Sequence, residues 1–375
     1  MRKLAHVEKI IDIQPIPNAD KIEVATVLGW KIVIKKDEFK VGDKIIYIEI
    51  DSRVPKDEPY FSFLADRNYK VKSIKLRKQV SQGLIVPMSL LPDGDYKEGD
   101  DVTDILKITK IEEDYKQPPV NKELQLKQRH KRLYNKKWFK HMMKYAWFRK
   151  LAFKFLLPKK RKTSWPSWIT KTDEERCQNM PWVLEDKSPF FCTEKLDGTS
   201  STFSLHKEGM KWKFYVCSRN VVQDTPGKKC YYEDLGNVYW EMAKKYDIEN
   251  KLRAAVKDYN VKNYITLQGE IIGEGIQKNK YELKGRDLYL FNLIVDDVKY
   301  NPVQVAAFAL SYDMKAVPIL ETEFVLPDTV DELMEFATGN STLHNTLREG
   351  IVFRSHDMNT SFKCVSNKFL LKWGL

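Results

Sequence analysis

The sequence predicts an α+β chain of three consecutive segments: a β-rich barrel over residues 1–105, a basic helical linker over 106–165, and a mixed domain over 166–375. Three observations carry this reading. The 375 residues exceed one ordinary domain, and chains of that size divide into cores of roughly 100–150 residues. Short β-branched runs crowd the first segment, whereas strand-like and helix-like runs alternate in the last. Between them, positive charge dominates.

In the first segment, residues 22–27, 31–34 and 44–50 are short strands rich in Ile and Val. Turn signals at Asn18-Ala19-Asp20, at Gly29 and at Val41-Gly42-Asp43 separate them. Further strands are expected over 71–76 and 83–87. About five strands in roughly 100 residues fit a small closed barrel such as an OB-fold, which commonly binds nucleic acid and also serves as plain scaffold.

The charge is concentrated. Residues 122–162 hold 16 Lys/Arg against one acidic residue, Glu123, a net of +15 in 41 positions; the whole chain carries +12, so the remainder is −3. Tyr134, Trp138, Phe139, Tyr145, Trp147, Phe148, Phe153 and Phe155 lie in the same stretch. Cations that displace counterions from phosphates, beside rings that stack on bases, suit a nucleic acid, with Lys136, Lys137 and Arg149 as contacts. Two other readings stay open. Trp147, Phe148, Leu151, Phe155 and Leu156 recur near helical spacing and would pack on a domain. Alternatively, a cationic helix ending in Leu156-Leu157-Pro158-Lys159-Lys160-Arg161-Lys162 would meet an anionic membrane or act as a nuclear signal.

Several classes are excluded. The five cysteines (Cys177, Cys192, Cys217, Cys230, Cys364) form no Cys-x-x-Cys pair, which argues against a disulfide scaffold or zinc ribbon and favours a reducing compartment. The start has no apolar signal-peptide core, and no run of about 18 apolar residues exists to cross a bilayer. The expectation is a soluble cytoplasmic or nuclear monomer.

In the third segment, strands are expected over 202–205, 213–217, 264–272, 288–295 and 350–353, and helices over 235–246, 248–258 and 329–337. The focal string is Glu194-Lys195-Leu196-Asp197-Gly198, an amine, a carboxylate two residues on, and a glycine that permits close backbone approach. Such an amine attacks phosphorus only when unprotonated, which at pH 7 costs roughly 4.6 kcal/mol from an ordinary lysine pKa. Neighbouring cations, a metal ion or desolvation must supply that activation. By itself the string is weak. Compatible strings follow in order: Ser218-Arg219-Asn220, Leu267-Gln268-Gly269-Glu270-Ile271-Ile272-Gly273, Leu288-Tyr289-Leu290-Phe291-Asn292, Arg348-Glu349-Gly350-Ile351-Val352-Phe353-Arg354 and Ser361-Phe362-Lys363-Cys364-Val365-Ser366-Asn367-Lys368.

These six ordered motifs resemble the covalent nucleotidyltransferases, specifically the ATP-dependent RNA ligases of the RNA ligase 2-like group, in the branch with an N-terminal OB domain. The resemblance covers about residues 172–375 and extends more loosely to His6-Val7-Glu8-Lys9-Ile10 and Val80-Ser81-Gln82-Gly83-Leu84. It implies a nucleotidyltransferase domain of antiparallel sheets with flanking helices. Lys195 would attack the α-phosphorus of ATP and carry AMP. Glu194 would orient the adenine edge, Phe291 would stack beneath it, and Glu270 would hold the ribose hydroxyls. Arg219 would contact ribose or substrate phosphate, Arg176 the ATP phosphates, and Lys363 the α-phosphate. Glu349, with Asp197 nearby, would hold Mg2+ or Mn2+ through water, and Lys368 would contact nucleic acid.

Two positions depart from the family pattern: Ser200 stands where many relatives carry asparagine, and Val365 where a second lysine is common. DNA ligases and capping guanylyltransferases share Lys-x-Asp-Gly but place an OB domain after the last motif; here Leu375 follows Lys363 by 12 residues, which favours an RNA ligase. The implied reaction seals 3′-hydroxyl and 5′-phosphate ends at a nick in RNA or an RNA/DNA duplex, in RNA repair. The rival class is a nucleic-acid-binding protein that kept the fold without the chemistry.

Overall fold

Lys44-Ile45-Ile46-Tyr47-Ile48 is apolar at four successive positions, a pattern that needs cover on both faces of a strand. The computed structural model, which describes residues 3–111, 123, 126–127, 130–157, 165–223 and 237–374, supplies that cover. The strand Lys44–Ile48 lies between Ala5–Lys9 and Leu84–Pro87, antiparallel to both. Ile46 and Ile48 enter one core with Val7, Phe61 and Val86, while Ile45 and Tyr47 enter another with Trp30 and Ile32. A meander of Asp12–Pro15, Ile22–Val27 and Trp30–Lys35 builds the second core. This is the OB-type barrel expected.

Two details differ from expectation. The single strand predicted over 71–76 is two, Lys70–Val71 and Ile74–Leu76, and the latter forms a hairpin with Gln79–Ser81. Its two-residue turn is Arg77-Lys78, with φ of 48° and 67°. Such turns are usually signalled by Asn or Gly, so the hairpin is silent in the sequence. Thr109–Lys110, inside the predicted linker, pairs with Ser52–Arg53 of the barrel.

The described part of the linker forms the short helices Lys131–Tyr134, Lys137–Met142 and Ala146–Leu156. Leu126, Phe139, Met143 and Ala152 are buried in a small core of their own, with Phe148 and Leu156 packed around it. Trp147, Leu151 and Phe155 point away and stay exposed. The irregular ends expected at Pro118-Pro119 and Pro158 lie outside the described residues.

Two sheets make up the C-terminal domain. The first orders its strands Glu175–Arg176, Ser361–Val365, Gly350–Ser355, Pro189–Lys195, Ile319–Val325. The second runs Lys211–Ser218, Thr199–Glu208, Tyr264–Gly273, Arg286–Val295, Val298–Lys299, with Lys315–Ala316 parallel to Arg286–Val295. All other pairings are antiparallel except Glu175–Arg176 beside Ser361–Val365. Helices Val238–Lys245, Ile248–Asp258 and Pro302–Ser311 bury Met242, Leu252 and Phe308 against the second sheet. Val330–Ala337 buries Leu333 against the first. The helix Pro302–Ser311 was not expected, although Asn301-Pro302 and Gln304 form a capping box, a legible start signal. Among the described residues no helix is long and apolar enough to cross a membrane.

The barrel docks on the first sheet. Trp30 is fully buried, its Nε1 donates to Asn179 Oδ1 at 3.3 Å, and the Arg176 guanidinium lies 5.4 Å from its ring centroid. Lys75 Nζ donates to the Leu371 carbonyl at 3.2 Å. Removing the Trp30 ring would leave a large cavity and take from Asn179 Oδ1 its Trp30 donor. Trp30→Ala is expected to lose about 3–5 kcal/mol of stability; urea unfolding checks this, and an unchanged midpoint contradicts the docking role.

Candidate active site

The string Lys195-Leu196-Asp197-Gly198 crosses from one sheet to the other. Pro189–Lys195 is a strand of the first sheet, and Thr199–Glu208 opens the second. Lys195 pairs with Gly350, and Ser200 pairs with Glu270. The glycine has a steric reason: a Cβ at Gly198 would overlap the Ile271 carbonyl oxygen and crowd Glu270 Cγ. Gly350 is similar, since a Cβ there would overlap the Cys364 carbonyl oxygen beside Lys363. Both glycines let the strands that carry charged groups close on the turn. The result is a cleft of about 480 Å³ between the sheets.

Lys195, Glu194, Arg176, Arg219, Glu270, Phe291, Lys363, Glu349 and Asp197 all line this cleft. Lys195 Nζ donates to Glu349 Oε2 at 2.7 Å. Burial pulls the ammonium pKa down, but Glu349, Glu270 and Asp197 outweigh it, and the net shift is upward. Desolvation was one expected route to a free amine; here the carboxylates override it, so the free protein holds a protonated lysine. Lys363 moves the other way, down to about 8, through burial and then repulsion from Lys195 and Arg176. Glu270 is pushed up to about 8 by burial, and Glu349 and Asp197 reinforce the shift against Lys195. Charges of both signs are packed here at a density that water would ordinarily relieve.

Among the described residues that line the cleft, Glu194, Arg176 and Arg354 have buried polar atoms without a partner. Glu194 Oε2 accepts from the Thr342 N–H and Oγ1, both at 2.9 Å, whereas Oε1 has no donor. Arg176 is clamped over Trp30, yet its Nη1 has no acceptor. An orphaned acceptor beside an orphaned guanidinium nitrogen suits a ligand with a donor edge and anionic groups. Phe291 reaches the cleft through a β-bulge: Gln268 pairs with Asn292 and Gly269 with Leu290, so Phe291 is the extra residue. A bulge re-aims its side chain, which explains how one ring of an apolar strand leaves the core.

Sequence reasoning missed several supports. Lys280 is buried against Asp197, and the Tyr281 hydroxyl accepts the Asp197 N–H at 2.9 Å. Thr342, which holds Glu194, and Asp51 of the barrel, which lines the cleft, carried no signal because both depend on long-range packing. Arg219 pairs with Asp173 at the cleft wall. Ser200 is 2.9 Å from the Thr172 hydroxyl. Lys368 is exposed on the short helix Asn367–Phe369 and does not line the cleft. Lys136, Lys137 and Arg149 lie in the helical linker instead, where Arg149 Nη1 donates to the Met143 and Lys144 carbonyls at 3.4 and 3.5 Å.

Comparison with known proteins decides the family. Residues 4–88 match an OB-fold domain, and residues 188–373 match the RNA ligase family. The RNA ligase of Naegleria gruberi, solved with PPi, superposes with a TM-score of 0.70 at 32% identity over 99% of both chains. The chain belongs to the RNA ligase family. Two mutants of the Naegleria ligase, one with AMP and Mn and one with ATP and Mn, give a TM-score of 0.71 at 32% and 30% identity, each over 99% of both chains. No curated protein matches the chain.

Metal chemistry in this ligase has a limited donor set. Among the described residues, no three His, Cys, Asp or Glu side chains are grouped to enclose an ion. Glu349 and Asp197 offer hard oxygens near Lys195, which fits a cation that keeps its waters and takes other ligands from phosphates.

The shift at Glu270 has a thermodynamic consequence. Its folded carboxyl titrates near 8 while the unfolded one titrates in the usual carboxylate range, so the folded state binds more protons between those values. Stability of the free protein therefore falls as pH rises from about 5 to 8. Thermal melts of Glu270→Gln should show a flatter profile and higher stability at pH 8. Parallel profiles for both proteins would contradict the assignment.

Proposed function

We propose that this protein is an ATP-dependent RNA ligase that joins a 3′-hydroxyl to a 5′-phosphate at a nick in RNA or an RNA/DNA duplex and serves RNA repair. The observation that carries the reading is the part-buried Lys195 ammonium, set on a turn between two sheets and lining one cleft together with Lys363 and Arg176.

Three displacements follow. The Lys195 amine loses its proton and forms an Nζ–P bond to the α-phosphorus of ATP, while the bond to the β-phosphate breaks and pyrophosphate leaves. A 5′-phosphate oxygen then attacks that phosphorus, the Nζ–P bond breaks, and the adenylylated end forms. Last, the 3′-hydroxyl attacks the 5′-phosphorus, loses its proton, and expels AMP as the phosphodiester closes.

Each side chain has a part in positioning. The free Glu194 oxygen accepts from the adenine amino group, and Phe291 stacks on the ring. Glu270 takes the ribose hydroxyls, Lys363 the α-phosphate, and Arg176 the departing phosphates; Arg219, released from Asp173, meets ribose or the substrate phosphate. Phosphoryl transfer is largely positioning and charge neutralisation, so this cation set suits the task. Glu349 and Asp197 would hold Mg2+ or Mn2+ through water, which supplies positive charge beside the phosphates and Lys195. The RNA ligase of Naegleria, solved with ATP and Mn, supports the choice of nucleotide and metal class. Lys368, Lys136, Lys137 and Arg149 contact the flanking nucleic acid. The free, buried Cys177, Cys192, Cys217 and Cys364 fit a reducing cytoplasm or nucleus, and the proposed working unit is a monomer.

Incubation with α-labelled ATP and Mg2+ or Mn2+ tests the core of this reading. Wild-type protein takes up label and Lys195→Ala takes up none; equal labelling would defeat it. Because the carboxylates hold the Lys195 pKa above its ordinary value, the neutral amine grows about tenfold per pH unit below that value. Single-turnover labelling should thus rise with pH between about 6 and 8, and a flat profile would show that deprotonation does not limit the step.

Thr342→Val removes one of the hydrogen bonds that fix Glu194, a loss worth about 1.5–3 kcal/mol at a charged acceptor. The KM for ATP should rise about tenfold or more while GTP is affected less, narrowing discrimination between the two. Unchanged discrimination would free Glu194 from any role in base selection.

A further inference from the structure

The helical linker carries an arrangement that the adenylylation chemistry does not use. Its small core holds Phe139 and half-buries Phe148; besides Phe155, 70% exposed, three rings remain outside it: Trp138, 55% exposed, Tyr145, 48%, and Trp147, 60%. Single exposed rings are common, but these are braced. Trp138 stands edge-on to Phe139 at 5.5 Å and 81°, Trp147 to Phe148 at 5.7 Å and 88°, and Tyr145 to His141 at 5.9 Å and 68°. Edge-to-face contact fixes each orientation and leaves π surface toward solvent.

Cations alternate with the rings. Lys136, Lys137, Lys140, Lys144 and Lys150 are all exposed around them. Glu123, the one acidic residue in the basic stretch, is occupied as acceptor of the Tyr134 hydroxyl at 2.5 Å. One carboxylate against 16 Lys/Arg leaves the stretch with a large uncompensated positive charge. A membrane-surface helix segregates its rings from its charges. Trp147, Leu151 and Phe155 do share one exposed stripe of the helix Ala146–Leu156, but Trp138 and Tyr145 lie off that helix among Lys136, Lys137, Lys140 and Lys144, as bases and phosphates interleave along an unpaired strand.

We infer that Trp138, Tyr145 and Trp147 form a stacking platform for unpaired bases of single-stranded RNA whose phosphates lie on Lys136, Lys137, Lys140 and Lys144. The inference rests on the RNA ligase reading for its choice of polynucleotide. It adds a holding site for a strand beside the break, separate from the cleft at Lys195, so that ends with single-stranded extensions are retained longer than fully paired nicks.

The test uses the full chain and a short fluorescein-labelled oligouridylate, read by anisotropy over a salt series. Trp138→Ala with Trp147→Ala should weaken binding about tenfold or more, with the salt slope unchanged. Replacing Lys136, Lys137 and Lys140 by Gln should instead lower the slope by roughly two, from about 0.7 per phosphate contact. Trp138→Leu with Trp147→Leu keeps apolar bulk and removes the rings; it should bind as weakly as the Ala pair, while the Phe pair binds nearly as wild type. Oligouridylate binding that survives in the Leu pair overturns the platform. So does binding of phosphatidylserine vesicles that the Ala pair loses while RNA binding is retained. AMP labelling at Lys195 is measured on every variant: absence from wild type would defeat the ligase reading without touching the platform, and retention in the Ala pair shows an intact catalytic domain.

Discussion

One part-buried ion pair organises this molecule. Lys195 and Glu349 sit 2.7 Å apart at the point where a strand of one sheet turns into a strand of the next. Burying opposite charges is tolerable only when geometry is good and the remaining valences are met. The surroundings answer that demand: Lys280 pairs with Asp197, Tyr281 takes the Asp197 N–H, and Gly198 and Gly350 let the carrying strands approach. Changes here act on both sheets at once.

The same crowding explains the chemistry. The acidic groups around Lys195, Glu349 foremost, hold its proton in place, so the free protein is poised but not nucleophilic. On neighbouring strands of the same sheet stand Lys363, its charge weakened by burial, and Arg176, held over a tryptophan from the other domain. Anionic and cationic side chains are interspersed along the lining of the volume a nucleotide would fill. The barrel is thus part of the site: Trp30 covers Arg176, and Asp51 reaches the lining.

Much of the fold was legible because it follows local patterns. The strands at Ile22–Val27 and Trp30–Lys35 and the helix Ile248–Asp258 obey plain periodicity between turn signals. Where local signals were weak or unconventional, the reading slipped. The Arg77-Lys78 turn uses left-handed residues without Gly or Asn, so one predicted strand is two. The linker rings were legible as either core or surface, and packing divided them, Phe139 inward and Trp147 outward. Helical spacing alone could not choose, because both faces of the helix Ala146–Leu156 are apolar.

The site separates along the same line. The roles of Lys195, Asp197, Glu349 and Lys363 were readable through the resemblance of six ordered motifs to the RNA ligases, since the string around Lys195 is weak by itself. Their charge states were not readable. A lysine raised and a lysine lowered within one cleft follow from which side chains burial brings together, and those partners come from strands far apart in the chain. Thr342 beneath Glu194, Lys280 against Asp197 and Trp30 over Arg176 are likewise products of packing. Residue types set which reactions are possible; only the meeting of the two sheets and the barrel set the fields in which those residues act.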